Sequence, residues 1–160
     1  MNASDNDVTN AEWINPGPDL STLKGTFDLI HSFIVFQHIP PCRGIAIVKH
    51  MIERLNDGGV ACLQFLYYRD VPQSIRVLGW MRKHIPGIHG LVNLKYGKSF
   101  TEPLMEKNCY DLNQLLFLLQ TSGCGNIRIH SQGTGKLKSA VIFFQKQRDS
   151  VPYDSFDEST

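Results

Sequence analysis

Two near-continuous apolar runs, Phe27–Phe33 and Val60–Leu66, stand on either side of a segment with helical periodicity. Pro41 opens that segment, where the missing proline N–H costs nothing. Ile45, Val48, Ile52 and Leu55 recur at spacings of three and four and give one apolar stripe. Asn56-Asp57-Gly58-Gly59 then reads as a helix stop and a turn. Strand, helix, Gly-rich turn and strand make a βαβ unit, so the two strands are predicted to be parallel, with a right-handed crossover. The apolar character of FDLIHSF predicts burial on both faces, as in a parallel sheet covered by helices.

The rest of the chain extends this plan. Ala11–Asn15 reads as a short strand, and Pro16-Gly17-Pro18 turns the chain after it. Pro72–Ile85 is predicted to be helical, with Ile75, Leu78, Arg82 and Ile85 on one side. From Pro86 to Pro103, glycines and prolines interrupt every element, which predicts an irregular excursion with room for one short helix. Asp111–Ser122 is the strongest helix: Asp111 caps it, Gln114 has the capping-box spacing, and Gly123 sits at the stop. Ile127–Ser131 and Ala140–Gln145 flank a short Gly-rich link and are predicted to form an antiparallel hairpin. The expected fold class is α/β, a three-layer sheet, mostly parallel, that ends in this hairpin. The expected organisation is a flexible start over 1–10, one domain over 11–146 and a disordered tail over 147–160.

Composition narrows the classes of function. The 160 residues are 42% hydrophobic and 19% charged, which suits one globular, soluble domain with a real core. The net charge of +1 supplies no whole-chain field for nucleic acid or for an anionic membrane. No apolar run reaches transmembrane length, and MNASDNDVTN does not read as a signal peptide, so the expected location is the cytoplasm. Cys42, Cys62, Cys109 and Cys124 have no CxxC spacing and read as buried or half-buried thiols. The six histidines match no metal-ligand spacing, and no metal is expected.

One local break calls for a reason. The Phe27 strand ends in a polar pair, Gln37-His38, before Pro40-Pro41. Ligands bind at the carboxyl ends of the strands in open α/β sheets, so side chains there can face a cleft. A solvated turn before a helix accounts for the same residues.

The pieces also occur in a familiar order. Phe27-Asp28-Leu29-Ile30, Ser32 and Val35-Phe36-Gln37-His38-Ile39 are followed by an amphipathic helix. Leu55-Asn56-Asp57-Gly58-Gly59 and the VACLQF strand come next, then YDLNQLLFLLQTSG and the hairpin. Over residues 11–146 this order resembles the later part of a class I S-adenosylmethionine-dependent methyltransferase, with Asp57 where the family usually has proline. The resemblance implies a Rossmann-like methyltransferase sheet, S-adenosylmethionine as cofactor, and methyl transfer to an acceptor that the sequence does not identify.

What the resemblance implies for individual residues is uneven. The family's glycine-rich cofactor loop and its ribose-binding carboxylate precede the matched region, and nothing before Trp13 corresponds to them. The domain is therefore expected to be truncated at its N-terminus and of doubtful activity alone. Either Gly17 or Asp19 stands at the position that meets the adenine, with Leu20 beside it. Ser32 and Phe33 fall beside the methionine part of the cofactor. Tyr67, with Tyr68 next to it, follows the second strand and is implied to wall the acceptor pocket. His38 falls near the cleft. It is the candidate general base, because its ordinary pKa lies near neutrality, and a structural histidine is the other reading. The competing function is a non-catalytic remnant that serves as a binding or dimerisation module. The expected partners are a small-molecule or other methyl acceptor, with no nucleic acid and no membrane indicated. Self-association through the unpaired edge of the Phe27 strand is also expected.

Overall fold

A computed structural model describes residues 10–12, 14, 20, 23–102, 107–133 and 135–148. Strand β1 (Phe27–Ser32) leads through a short 3-10 helix (Phe36–His38) into α1 (Pro41–Glu53) and β2 (Leu55–Arg69). An excursion carrying α2 (Gln73–His84) and α3 (Ile88–Lys95) precedes α4 (Leu112–Thr121). The chain then forms β3 (Cys124–Gln132) and β4 (Leu137–Lys146). The Asp111 side chain caps α4, accepting from the Asn113 amide at 2.9 Å.

The four strands lie in the order β1-β2-β4-β3. β1 and β2 are parallel, and β4 is antiparallel to both β2 and β3. Three strands therefore run one way, and the last strand of the chain is inserted, reversed, between the second and third. Ala61, Leu63 and Phe65 of β2 stand opposite Phe144, Ile142 and Ala140 of β4. They share one core with Ile47, Val48 and Ile52 of α1 and with Leu115 and Leu119 of α4. Both crossover helices thus cover the same face of the sheet. This follows from two right-handed crossovers that step in the same direction along it.

The opposite face is only partly covered among the described residues: Leu66 and Val141 on it are buried but its β1 side is open, which corrects the expectation that the Phe27 strand is buried on both sides. Leu29 is 66% exposed, and Val60 and Phe143 on the same face are also exposed. The apolar run reflects a sheet built to be covered twice, and the described helices cover it once.

Two further expectations change. Asn56–Gly59 is not a turn outside the sheet. Leu55 pairs with Phe27 and Val60 with Leu29, so Asn56–Gly59 bulges out between two ladder positions of one long strand. Leu55 accordingly belongs to β2 rather than to the helical stripe. Of the segment read as a first strand, Ala11, Glu12 and Ile14 are described, and they are not in a strand. Cys42 and Cys109 are exposed, Cys62 is half-buried and Cys124 is buried, so two of the four thiols lie at the surface rather than in the core.

Candidate functional site

The carboxyl ends of β1, β2 and β3 meet the amino end of β4 at a cavity of about 320 Å³. Ile34, Gln37, Gln64, Leu66, Gly133, Leu137 and Ser139 line it. This is where an open α/β sheet offers a cleft. Gln64 organises it. Its side-chain oxygen accepts from the Ile34 amide at 2.9 Å, and its side-chain nitrogen donates to Ser139 Oγ at 3.1 Å. One carboxamide thereby ties the exit of β1 to β4 across the mouth of the cavity. Ile34 has φ 64°, a left-handed conformation that a β-branched residue rarely adopts. Strain of this kind persists where surrounding bonds impose it, and it clusters at ligand sites. Gly133, on the hairpin side, has φ 120°, and a Cβ there would meet the Leu137 carbonyl oxygen at 2.3 Å.

The floor beneath this end is aromatic. The rings of Phe36 and Phe65 lie 4.7 Å apart, and Tyr110 is 5.1 Å from Phe65. The Tyr110 hydroxyl donates to the Ile39 carbonyl at 2.9 Å, and burial pushes its pKa up to about 12. Its amide donates to the Leu66 carbonyl at 2.7 Å, and the Asn108 amide donates to the Gln37 carbonyl at 2.7 Å. These bonds seat the 3-10 helix and anchor the returning limb of the excursion beside the cavity. The outgoing limb is anchored too, because the Asp70 amide donates to the Lys136 carbonyl at 2.8 Å.

The residues singled out from sequence are dispersed. Ser32 is buried at the end of β1, and Phe33 beyond it is half-exposed, its ring stacked near His31 with centroids 6.4 Å apart. His38 is exposed. Its neighbour Gln37 lines the cavity, and the Gln37 Nε2 lies 3.1 Å from His38 Nε2. Tyr67 packs against the helix-covered core, and its hydroxyl lies 3.1 Å from Ser131 Oγ, so it does not line this cavity. Leu20 packs on the core from the outer side of β1 and lines a separate apolar groove there, with Leu23, Phe27 and Met51. Gly17 and Asp19 lie outside the described residues. Among the described residues no cluster of His, Cys, Asp or Glu is placed to hold a metal ion. Likewise no described helix is long and apolar enough to cross a membrane.

Sequence reasoning passed over Gln64, Ile34 and Ser139. A signal for Gln64 was present, since it is the one polar residue inside VACLQFL. Nothing in the local sequence marks Ile34 as left-handed.

No family model matches the chain, and no curated protein does. Solved structures do. Magnesium protoporphyrin IX methyltransferase from Synechocystis, crystallised with bound SAH, superposes with a TM-score of 0.50 at 17% identity, over 79% of this chain and 48% of that one. A SAM-dependent methyltransferase from Methanosarcina mazei gives 0.48 at 18% identity, over 78% and 61%. TehB from Haemophilus influenzae gives 0.47 at 16%, over 81% and 38%. The fold assignment rests on the first of these together with the strand order. The chain spans about half the length of that structure. With its reversed strand between the second and third of three codirectional ones, the chain has the Rossmann-like fold of class I S-adenosylmethionine-dependent methyltransferases.

Proposed function

We propose that the chain takes part in methyl transfer from S-adenosylmethionine to an acceptor seated at the carboxyl end of the sheet. The observation that carries this reading is the cavity organised by Gln64 at that end, in a fold whose solved examples include methyltransferases. The described residues fit the cofactor in part. Ser32 and Phe33 stand at the end of β1, where the methyl-bearing portion is implied to lie. Among the described residues no carboxylate lines the cavity to meet a ribose, and Gly17 and Asp19 are outside the described residues. The nucleoside half is therefore not accounted for by the described residues.

The cofactor supplies an already activated methyl group, so the protein's task is to position reactants and exclude water. The lining suits that task. Gln37, Gln64 and Ser139 are neutral hydrogen-bonding groups among apolar walls, and no titratable side chain is among the described residues of the lining. Such a site favours an acceptor that presents a lone pair without needing a proton removed by the wall. His38 is in contact with Gln37, which lines the cavity.

A second reading draws on the open sheet face. Leu29, Val60 and Phe143 there suit a domain that binds another polypeptide without catalysis. Amide chemical shifts of the chain, followed during titration with S-adenosylhomocysteine to millimolar concentration, separate the two. Methyl transfer predicts shifts at Ser32, Phe33, Ile34 and Gln37. Their absence, with the fold intact, favours the second reading.

A further inference from the structure

The excursion between β2 and α4 has a composition unlike the rest of the chain. Val71–Thr101 contains Arg76, Arg82, Lys83, Lys95 and Lys98 and no aspartate or glutamate. The remainder holds eleven of the 16 basic residues against all 15 acidic ones. The near-neutral total conceals a basic module in an otherwise near-neutral domain, with the acidic excess in residues 1–10 and 147–160.

The structure shows what this module does with its side chains. Where α2 meets α3 the contacts are polar. Arg82 Nη2 donates to Asn93 Oδ1 at 2.9 Å and lies 3.1 Å from His89 Nδ1. His89 Nε2 donates to the Glu102 carbonyl at 2.6 Å, and Asn93 is buried. Leu78, Met81, Ile88 and Val92 are half-buried, but several large apolar groups face out. Trp80 is 59% exposed and Leu91 64%, and Val77, Leu94 and Tyr96 are also exposed. Val77, Trp80 and His84 fall on one face of α2 by their spacing, and the Trp80 and His84 rings stack at 4.8 Å. Arg76 stands one turn before Trp80. Leu91, Leu94 and Lys95 share a face of α3 in the same way. A helix pair that buries an asparagine and half-buries an arginine and a histidine, while exposing tryptophan, leucine and valine, departs from the usual arrangement in water.

We infer that the outer surface of α2 and α3 docks on an anionic lipid bilayer. Three features favour that occupant. Tryptophan and tyrosine suit the boundary between headgroups and acyl chains. Arginine and lysine beside exposed apolar groups can reach headgroup phosphates while their stems stay on apolar surface. The charge is of one sign, and it is spread along two helices rather than gathered into a fixed fork that would select one carboxylate. Lys98 is paired with Glu102, just outside the segment, while Arg76 and Lys95 are exposed. Both limbs of the module are anchored at the carboxyl end of the sheet, so docking would set the cavity close to the bilayer. The inference does not depend on methyl transfer.

The test is flotation of the full 160-residue chain with vesicles. Vesicles of phosphatidylcholine are compared with an equal mixture of phosphatidylcholine and phosphatidylglycerol. Partitioning onto the anionic vesicles is expected to be about tenfold stronger, and to fall as salt is raised. Tryptophan emission in a Trp13→Phe background should shift to shorter wavelength on binding, as Trp80 leaves water. Trp80→Ser and the double change Arg76→Glu with Lys95→Glu are each expected to reduce binding about tenfold, with circular dichroism unchanged. Equal partitioning onto both vesicle types would overturn the inference. So would variants that bind as the parent does. Polyglutamate that bound as tightly as the anionic vesicles, with no change in Trp80 emission, would assign the surface to an acidic protein and overturn it as well.

Discussion

The Gln64 side-chain oxygen accepts a hydrogen bond from the Ile34 amide at 2.9 Å, so a residue in the second strand holds the first strand's exit in a left-handed turn. Gln64→Ala removes this bond and the one to Ser139. The expected loss is about 1–2 kcal/mol in urea denaturation. At position 34 itself the expectation is reversed. Replacing an ordinary half-exposed isoleucine by glycine lowers stability, but here the strain relieved is about 1–3 kcal/mol. Ile34→Gly should therefore leave the denaturation midpoint unchanged or raised, and a clear fall would show that the turn is not strained.

Gly44 faces Tyr110 so closely that a Cβ would lie 2.0 Å from the phenol oxygen. Alanine improves helix propensity by about 1 kcal/mol. Displacing the buried ring costs about 1–3 kcal/mol, and losing its bond to the Ile39 carbonyl costs about 1 kcal/mol more. Gly44→Ala is expected to destabilise the chain on balance, and calorimetric melting would reveal an increase in Tm if the propensity term won.

Alkaline pH provides an independent measure of the same core. Burial raises Tyr110 to about 12 and Cys124 to about 11. Both groups are neutral when protonated, so the unfolded chain loses these protons first as pH rises. Stability is fully present below the unfolded-state values, near 9 for the thiol and 10 for the phenol. It then falls as pH climbs through the folded-state ones. Cys124→Ala should remove the earlier part of this decline and Tyr110→Phe the later part. A parent protein equally stable at pH 8 and at pH 11 would contradict both assignments.

β1 pairs only with β2 among the described strands, and Leu29 is exposed on the open face. Unpaired apolar edges recruit other chains. The chain is expected to self-associate in gel filtration with light scattering, and Leu29→Lys is expected to shift it toward monomer. A parent protein that stays monomeric at high concentration would rule this edge out as an interface.

What the sequence made legible, and what it did not, divides along a physical line. Elements whose signal is local were readable: Pro41 at the start of α1, Asp111 at the cap of α4, and the Gly-rich link of the hairpin. Features set by distant partners were not. Asn56–Gly59 has the composition of a turn, yet Phe27 pairs with Leu55 and draws it into β2 as a bulge. The apolar positions of FDLIHSF do not say how many helical layers cover them. Ile34 is left-handed because a side chain in another strand holds its amide. In the excursion, Arg82 has the spacing of a core-facing residue and does face inward, but as part of a polar junction with His89 and Asn93.

The place of β4 decides when this sheet can exist. β3 touches the other strands only through β4, which is made after it. During synthesis the two-strand unit of β1 and β2 can form early, while β3 has nothing to join until Leu137–Lys146 has left the ribosome. A chain stopped before Leu137 would lose the middle of its sheet rather than a margin, and Phe144, Ile142 and Ala140 would leave the core together. Assembly is thus completed from the inside, by a late strand closing long-range pairs, which is the slow class of folding step.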